Sequence, residues 1–575
     1  MSDWKPRAEA LARKYALENA VKHGGKATPG AVIGKVLAED PALRAHAKEV
    51  PAVAAAVVAD VNAMDAAAQK AAFDATAHER VDLARKKEDT GPLPALPDAA
   101  AGKVVLRFAP NPSGPLTLGH ARGVIVSFAY GEKYDGTVIL RFDDTDATVK
   151  RPMPEAYAWI PEDIAWLAGR AADRTFRASA RIPLYYEWAA KLVDVGGAYV
   201  CECTGDDFRV LKERGEPCPH RGQDVATNAA KWKRMTDGGY KPGEAVLRVK
   251  TDIRHRDPAL RDWVAFRLAR DPHPLEGDTY PVWPLLDFQS AIDDHVEGVT
   301  HIIRGKDLRD STEKQAFLYR HLGWTYPHTL YWGRASVHEF GKFSKSILSE
   351  GIKSGEYSGW DDPRLPTLRA LRRRGFAAEA IRAFWLAFGL SEKDVAASMK
   401  TLESENRKVV EPTAHRFFFV DDPREIRVTG APALAGEAPR HPDRPQDGMR
   451  RFSIAAAPDG ARVLLAGTDH DEVAKPGRKV RLKDLANLRF VADGVAEHAG
   501  NDLAFLKEAD RIVHWAPVDG VPVEVLMDDG STKRGLAERG LADEKAGAIV
   551  QFERFGFVRL EAVSSAGVKA VFTHK

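Results

Sequence analysis

Cysteine is scarce in this sequence, with three residues in 575. Three thiols cannot build a disulfide framework in so long a chain, which points to a reducing compartment. A long hydrophobic run is missing as well. The most apolar stretch, Pro51 to Ala68, is Ala-rich and interrupted by Asp60 and Asp65, so it is expected to be packed helix and not a membrane span. Met1 to Arg7 is polar and carries no apolar signal core, so a cytoplasmic protein with no membrane partner is expected. Nor does either sign of charge dominate. Lys plus Arg is 84 and Asp plus Glu is 82, a formal charge of +2, so only the local distribution of charge can select a partner.

What is present is enough apolar material for several cores. At roughly 100 to 200 residues per domain the length excludes one compact domain, and 44% apolar with 29% charged residues is ordinary for a folded globular chain. Residues 1–85 are rich in Ala, Lys, Glu and Arg and predict a small helical domain. Residues 86–103 hold Lys-Lys-Glu-Asp-Thr-Gly-Pro-Leu-Pro-Ala-Leu-Pro-Asp, whose prolines and charges oppose both helix and sheet, and predict a linker.

From Val104 the texture changes. A strand (Val104 to Phe108), a Pro/Gly/Asn loop, a helix (His120 to about Tyr134) and a second strand (Val138 to Phe142) predict a parallel βαβ unit, hence a doubly wound α/β sheet with its site at the carboxyl strand ends. Helices are expected at Glu155 to Leu167 and Pro183 to Val195, and a strand at Ala198 to Cys201. Residues 203–281 read as an insertion between a first half (104–202) and a second half (282–350) of that domain, with the sheet resuming at Gly298 to Arg304. Residues 351–410 read as helical, from the spacing of Leu365, Leu368 and Leu371 and of Ile381, Trp385 and Phe388. Residues 411–575 carry short β-rich runs between turn residues and predict β-barrels.

The most informative segment is Arg107-Phe-Ala-Pro-Asn-Pro-Ser-Gly-Pro-Leu-Thr-Leu-Gly-His-Ala-Arg122. A strand runs through a Pro/Gly loop into a helix starting at His120, which sets backbone N–H groups and an imidazole where a polyphosphate can sit. Further on, Lys342-Phe343-Ser344-Lys345-Ser346 follows Gly341 and offers two ammonium groups on a loop, suited to charge that develops on a phosphate. Either string alone is weak, since a βα loop or a Lys/Ser run is usually structural or solvated. The pair in this order is specific.

Together they resemble the two signatures of class I aminoacyl-tRNA synthetases, and Arg107-Phe-Ala-Pro-Asn-Pro-Ser-Gly114 resembles the glutamyl/glutaminyl subgroup. One departure is Thr117, where the family has a first histidine; altered detail without loss of activity is expected. The resemblance continues through Leu140-Arg-Phe-Asp-Asp-Thr-Asp146, Tyr280-Pro281 and Asp293-Asp-His to Arg304-Gly305, across residues 103–350. The β-rich tail, with Val521 to Gly530 and Gly547 to Arg559, is similar to archaeal-type glutamyl-tRNA synthetases.

The resemblance implies a fold: a Rossmann-like catalytic domain with an inserted acceptor-binding domain, a helical stem-contact region and anticodon-binding β-barrels. It also implies roles for residues. Pro110, Ser113, Gly114, Thr117, Gly119, His120, Lys342, Ser344 and Lys345 would bind ATP with Mg²⁺, and His120, Lys342 and Lys345 would stabilise phosphate charge during catalysis. Arg107, Asp143, Tyr280 and Arg304 would bind the amino acid. Arg304 discriminates, because glutamate needs a buried cation that glutamine would leave unpaired. The partners implied are L-glutamate and tRNA(Glu), with tRNA(Gln) left open, and the chain is expected to be a monomer. The alternatives are a glutaminyl enzyme and a non-catalytic tRNA-binding scaffold.

Three further expectations concern the rest of the chain. Cys201, Cys203, Cys218 and His220 match a four-ligand structural Zn²⁺ site of the kind some glutamyl enzymes carry. The basic runs Arg369 to Arg374 and Lys475 to Lys483 are expected to track tRNA phosphates, and Phe417 to Phe419 to stack on unpaired bases. The N-terminal helices resemble tRNA-contacting or docking appendages.

Overall fold

The computed structural model describes residues 4–76, 93–340, 345–564 and 566–575. These fall into two compact units, 1–91 and 92–575. The first is helical, with α1 (Trp4–Lys22), α2 (Pro29–Glu39), α3 (Val50–Asn62) and α4 (Ala66–Thr76). Ala8, Ala12, Ala16 and Ala20 recur every fourth residue and are buried with Ala54, Val58 and Val61. A stripe of methyl groups lets two helix backbones approach closely, which is why so alanine-rich a segment can form a core. The apolar stretch 51–68 is not one helix. It breaks after Asn62, and Asp65 starts the next helix by accepting from the Ala68 N–H at 2.7 Å. Among the described residues no helix is long and apolar enough to cross a membrane.

Residues 86–92 of the expected linker lie outside the described residues. The rest of it is not free chain: Leu93 and Leu96 are buried against Val104, Leu106, Val126 and Tyr130. The Tyr130 hydroxyl donates to the Pro94 carbonyl at 2.9 Å.

The second unit is built around a parallel sheet. Strands β1 (Val105–Phe108), β2 (Thr137–Phe142) and β3 (Arg174–Arg177) pair in that order. On the other side of β1 lie β8 (His301–Gly305) and β9 (His328–Trp332), a parallel pair joined to β1 through the Thr300 N–H and the Val105 carbonyl at 3.0 Å. The spatial order is therefore β3-β2-β1-β8-β9. The chain leaves β1 in one direction and returns on its other side, so a crevice opens at the carboxyl ends of β1 and β8.

Helix α5 (Leu118–Lys133) follows β1 and is buried along most of its length; Ala121, Val124, Ile125 and Phe128 pack against α6 (Ala156–Ala168). Arg122 is buried too. Its guanidinium donates to the carbonyls of Gly333 and Gly389, each at 3.0 Å, and lies over the rings of Trp332 and Trp385. These contacts fix the first helix to chain far away in sequence.

After α7 (Ile182–Asp194) the chain enters an antiparallel sheet of β4 (Ala198–Cys201), β5 (Val246–Val249), β6 (Val264–Leu268) and β7 (Val282–Pro284), with α8 (Gly205–Arg214) and α9 (Val225–Thr236) between β4 and β5. The expected strand Ala198–Cys201 pairs with this inserted sheet and not with the parallel one. Helices α10 (Leu286–Val296) and α11 (Arg309–Leu322) flank β8 in sequence, and α12 (Lys345–Lys353) follows β9. Helices α13 (Leu368–Arg374), α14 (Ala378–Phe388) and α15 (Met399–Val410) then pack Leu371, Ile381, Phe384 and Leu402 onto the α5 and α6 core.

The remaining chain forms two curled seven-stranded sheets. One is made of strands between Arg424 and Pro517. The other combines strands from Val521 to His574 with Arg416–Phe417 and Phe419–Asp421, which precede the first sheet in sequence. Phe417, Phe418 and Phe419 are thereby buried in the cores of these sheets and cannot stack on bases. Adjacent residues of a strand point to opposite faces, and here both faces are covered.

Part of each basic run is paired within the protein. Arg374 is buried and donates to the Thr573 carbonyl at 2.8 Å, and Arg373 pairs with Glu561 at 2.6 Å. Lys479 pairs with Glu508 at 2.9 Å, Arg481 with Asn487 at 3.0 Å, and Lys483 with Glu553. Neither run is a row of free cations.

Candidate active site

The crevice at the ends of β1 and β8 is a cavity of about 1510 Å³. Its walls include Arg107 from β1, Arg141 and Asp143 from the end of β2, Arg304 from β8, His120 from the first turn of α5, and Lys345 from the first residue of α12. Segments far apart in the chain meet here because a doubly wound sheet delivers all its βα loops to one edge.

One wall of the cavity is built by the loop between β1 and α5. Thr117 is the N-cap of α5, and its backbone N–H donates to His120 Nδ1 at 3.1 Å. Its hydroxyl lies 2.8 Å from the same nitrogen. Because Nδ1 accepts, the network assigns the ring proton to Nε2. Burial, with the Lys345 charge adding to it, pushes His120 down to about 3, so the imidazole is neutral at physiological pH and offers a donor. The helix start is held from outside as well: the Leu118 N–H donates to the Pro366 carbonyl at 2.8 Å, and the Leu368 N–H to the Leu116 carbonyl at 2.9 Å.

Lys345 reaches over the same loop and donates to the carbonyls of Asn111 and Gly114, each at 3.2 Å. Burial, then the neighbouring Lys150, pushes it down to about 8. Gly114 sits at φ +149°, and a Cβ there would lie 3.2 Å from the Trp360 indole, so the turn that presents its carbonyl requires glycine. Pro110, Ser113, Thr117, Gly119 and His120 line the cavity. Lys342 and Ser344 lie outside the described residues.

Another wall is a buried charge network. Arg141 donates to Asp143 at 2.7 Å, to Asp294 at 2.8 Å and to the Ser290 hydroxyl at 2.9 Å. Arg107 donates to Asp294 at 3.3 Å. Burial alone would raise Asp294, yet Arg107, Arg141 and Arg304 hold it below the usual carboxylate range. Asp293 behaves oppositely: burial pushes it up to about 7 in spite of Arg141, Arg181 and the Tyr185 hydroxyl. Arg304 is buried, and one of its nitrogens donates to Gln315 at 3.2 Å. Its Nε has no hydrogen-bond partner among the described residues. Arg107, Arg141 and Arg304 thus surround Asp294, and Arg304 keeps an unsatisfied donor. Buried polar atoms are rarely left so, which marks this corner as a seat for an anion.

Tyr280 stands apart from this network. It does not line the cavity; its ring packs edge-on against Tyr186 and Trp283, and its carbonyl accepts from the Trp283 indole at 2.9 Å. Asp143 lines the cavity while engaged by Arg141. The residues missed from sequence are Arg141, Ser290 and Asp294, which position the others. Arg141 had a signal, since it is the one charged residue in the strand Thr137-Val-Ile-Leu-Arg-Phe142 and is buried.

Outside the cavity, Cys201 ends β4, Cys203 precedes α8, and Cys218 and His220 follow that helix. Their ligand atoms all lie within 4.8 Å of one another. The Sγ atoms of Cys201 and Cys218 are 3.9 Å apart, and Cys203 Sγ is 3.4 Å from His220 Nδ1. Tetrahedral zinc with Zn–S of about 2.3 Å sets its sulfurs about 3.8 Å apart, so the donor set fits that ion in both type and spacing.

Comparison with known proteins agrees with this geometry. The profile of the class I tRNA synthetase (E and Q) catalytic domain matches residues 103–412. Two profiles of the anti-codon binding domain of the same group match residues 414–504 and 512–561. Glutamate--tRNA ligase of Methanocella arvoryzae is 49% identical over 573 residues, covering 98% of this chain and 99% of that protein. The ligase of Methanosarcina mazei is 48% identical and covers 99% of each chain. That of Pyrococcus abyssi is 46% identical over 99% of this chain and 100% of its own length. With its doubly wound sheet, its histidine-bearing phosphate loop and matches over nearly its whole length, the chain belongs to the class I tRNA synthetases of the E and Q group.

Proposed function

We propose that the chain activates L-glutamate with ATP and transfers it to the 3′-terminal ribose of tRNA(Glu). The observation that carries the choice of amino acid is Arg304, a buried guanidinium lining the cavity with an Nε that has no partner among the described residues. A side-chain carboxylate completes that corner; a side-chain amide leaves a buried cation unpaired, at roughly 3 to 5 kcal/mol. Arg107 and Asp143 then face the α-carboxylate and α-ammonium ends.

In the first step the glutamate α-carboxylate oxygen attacks the α-phosphorus of ATP and pyrophosphate leaves. His120 donates from Nε2 and Lys345 adds its charge as negative charge builds on the phosphates, with Lys342 and Ser344 assigned to the same loop. The loop from Asn111 to Gly119 carries no carboxylate, so Mg²⁺ would enter with the ATP phosphates and its own water. In the second step a ribose hydroxyl of the tRNA attacks the adenylate carbonyl and AMP leaves. No covalent enzyme intermediate is required, so positioning and electrostatics provide the rate.

The three cysteines and His220 would hold a structural Zn²⁺ that braces the inserted domain. The curled C-terminal sheets would read the anticodon, and the working form would be a cytoplasmic monomer. The deciding experiment is aminoacylation with labelled glutamate or glutamine on transcribed tRNA(Glu) and tRNA(Gln). Glutamate transfer to tRNA(Glu) is expected, and glutamate on both tRNAs would identify a relaxed enzyme. Glutamine transfer would overturn the reading of Arg304. No transfer with either amino acid would favour the scaffold.

A further inference from the structure

The residue between the first two cysteines, Glu202, has no part in the functions described so far. Its carboxylate is held from two sides: the Tyr240 hydroxyl donates to Oε1 at 2.5 Å, and Lys231 of α9 donates to Oε2 at 2.5 Å. A third group faces the same Oε2. It is His220 Nε2, at 3.6 Å, while the opposite ring nitrogen, Nδ1, faces Cys203 Sγ at 3.4 Å. The imidazole is therefore oriented with Nδ1 into the thiol cluster and Nε2 towards an anchored carboxylate.

A histidine that gives one nitrogen to a metal keeps its proton on the other, and that proton needs an acceptor. In this protein the candidate is Glu202, and closing 3.6 Å to hydrogen-bond length needs a shift of less than about 1 Å. Resting on the zinc reading above, we infer that Glu202 is a positioning residue for the metal. It selects Nδ1 of His220 as the ligating nitrogen, and through Lys231 and Tyr240 it ties the metal knuckle to α9 and to the loop ahead of β5. Cys201-Glu202-Cys203 is then more than a tight pair of ligands: the side chain between them orients the fourth.

The test uses the full-length protein. Zinc content of the wild-type chain is measured by elemental analysis, and zinc affinity by competition with a chromophoric chelator, for wild type, Glu202→Gln and Glu202→Ala. The melting temperature of each metal-free protein is recorded alongside. One zinc per chain is expected in wild type, with affinity lowered about 10-fold in the Gln variant and up to about 100-fold in the Ala variant, and with metal-free melting temperatures unchanged. Zinc affinity within twofold of wild type in both variants would overturn the role of Glu202 and leave the metal reading standing. So would an equal loss of stability with and without metal, which marks a purely structural contact. A wild-type chain that takes up no zinc would overturn the metal reading, and the inference with it. Should Glu202→Ala fail to fold, the Gln variant carries the comparison, since it preserves shape and can still contact Tyr240.

Discussion

Thr117 and His120 lock together across the first turn of α5, the threonine N–H donating to Nδ1 at 3.1 Å and its hydroxyl lying 2.8 Å from the same atom. The capping residue of the helix thereby sets the tautomer of the imidazole that is proposed to face the phosphates. Thr117→Val keeps the backbone contact and deletes the hydroxyl. The expected result is a 5- to 20-fold fall in kcat/KM for ATP in pyrophosphate exchange, about 1 to 2 kcal/mol. A change under twofold would show that the backbone contact alone fixes the ring.

Lys345 serves charge that develops during the reaction, so its removal should affect the rate more than binding. Lys345→Ala is expected to slow adenylate formation by about 10² to 10³ while ATP affinity changes less than tenfold. Single-turnover kinetics over a range of ATP concentrations separates the two, and equal losses in both would sink the assignment.

The same lysine predicts a pH limb. Burial lowers it to about 8, so the charged, active form is present below that value and is lost as pH rises through it. Adenylation should fall on the alkaline side of pH 8, and Lys345→Arg, which stays protonated, should move that limb upward. His120, at about 3, is neutral throughout this range and contributes no limb of its own. A profile flat to pH 9.5 in wild type would contradict this.

Arg304 is proposed as the discriminator. Arg304→Ala is expected to reduce kcat/KM for glutamate by about 10² to 10⁴, from roughly 3 to 5 kcal/mol for a buried carboxylate left without its cation. Arg304→Gln should narrow the preference for glutamate over glutamine. Both are read by steady-state aminoacylation with each amino acid; an unchanged ratio in Arg304→Gln would place the selectivity elsewhere.

Stability of the C-terminal region hinges on Arg450, which is buried and donates to Glu538 at 2.6 Å and to Glu553 at 2.9 Å. Arg450→Ala leaves two carboxylates facing each other and is expected to destabilise the fold by about 3 to 5 kcal/mol. Burial already holds Glu538 above the usual carboxylate range despite Arg450, and losing the guanidinium must raise it further. A carboxyl with a raised pKa in the folded state favours folding once protonated, so the loss should shrink as pH falls through that raised value. Urea unfolding at pH 8.0 and 5.5 measures it; an equal loss at both would exclude the carboxylate explanation.

The motif-bearing loops were legible because their chemistry is local. The Pro/Gly turn after β1 and the Cys-x-Cys and Cys-x-His pairs each need only a few neighbouring residues, whereas the helix expected from His120 starts at Leu118 with Thr117 as its cap. The family resemblance supplied Arg304. Tyr280 was harder to place: an aromatic ring near a site in sequence can turn into a hydrophobic cluster, as this one does against Tyr186 and Trp283. Phe417 to Phe419 are buried for a similar reason, since exposure is not a property of composition. The strand at Ala198–Cys201 was found, but the sheet it joins depends on a partner about 50 residues away.

By itself, then, the sequence determined a multidomain α/β chain, the order of its strands and helices, the Pro/Gly loop after β1 and the grouping of its cysteines, because periodicity, turn residues and residue spacing are short-range properties. Only the tertiary structure decided that Arg107, Arg141, Asp294 and Arg304 share one buried network, which sets the charge of the pocket. It likewise decided that Arg374 and Lys483 are spent on internal contacts and that Glu202 faces His220. Those outcomes depend on which distant segments are brought within a few ångströms and dried, and the strength of a charge or a hydrogen bond follows from that burial more than from the residue that carries it.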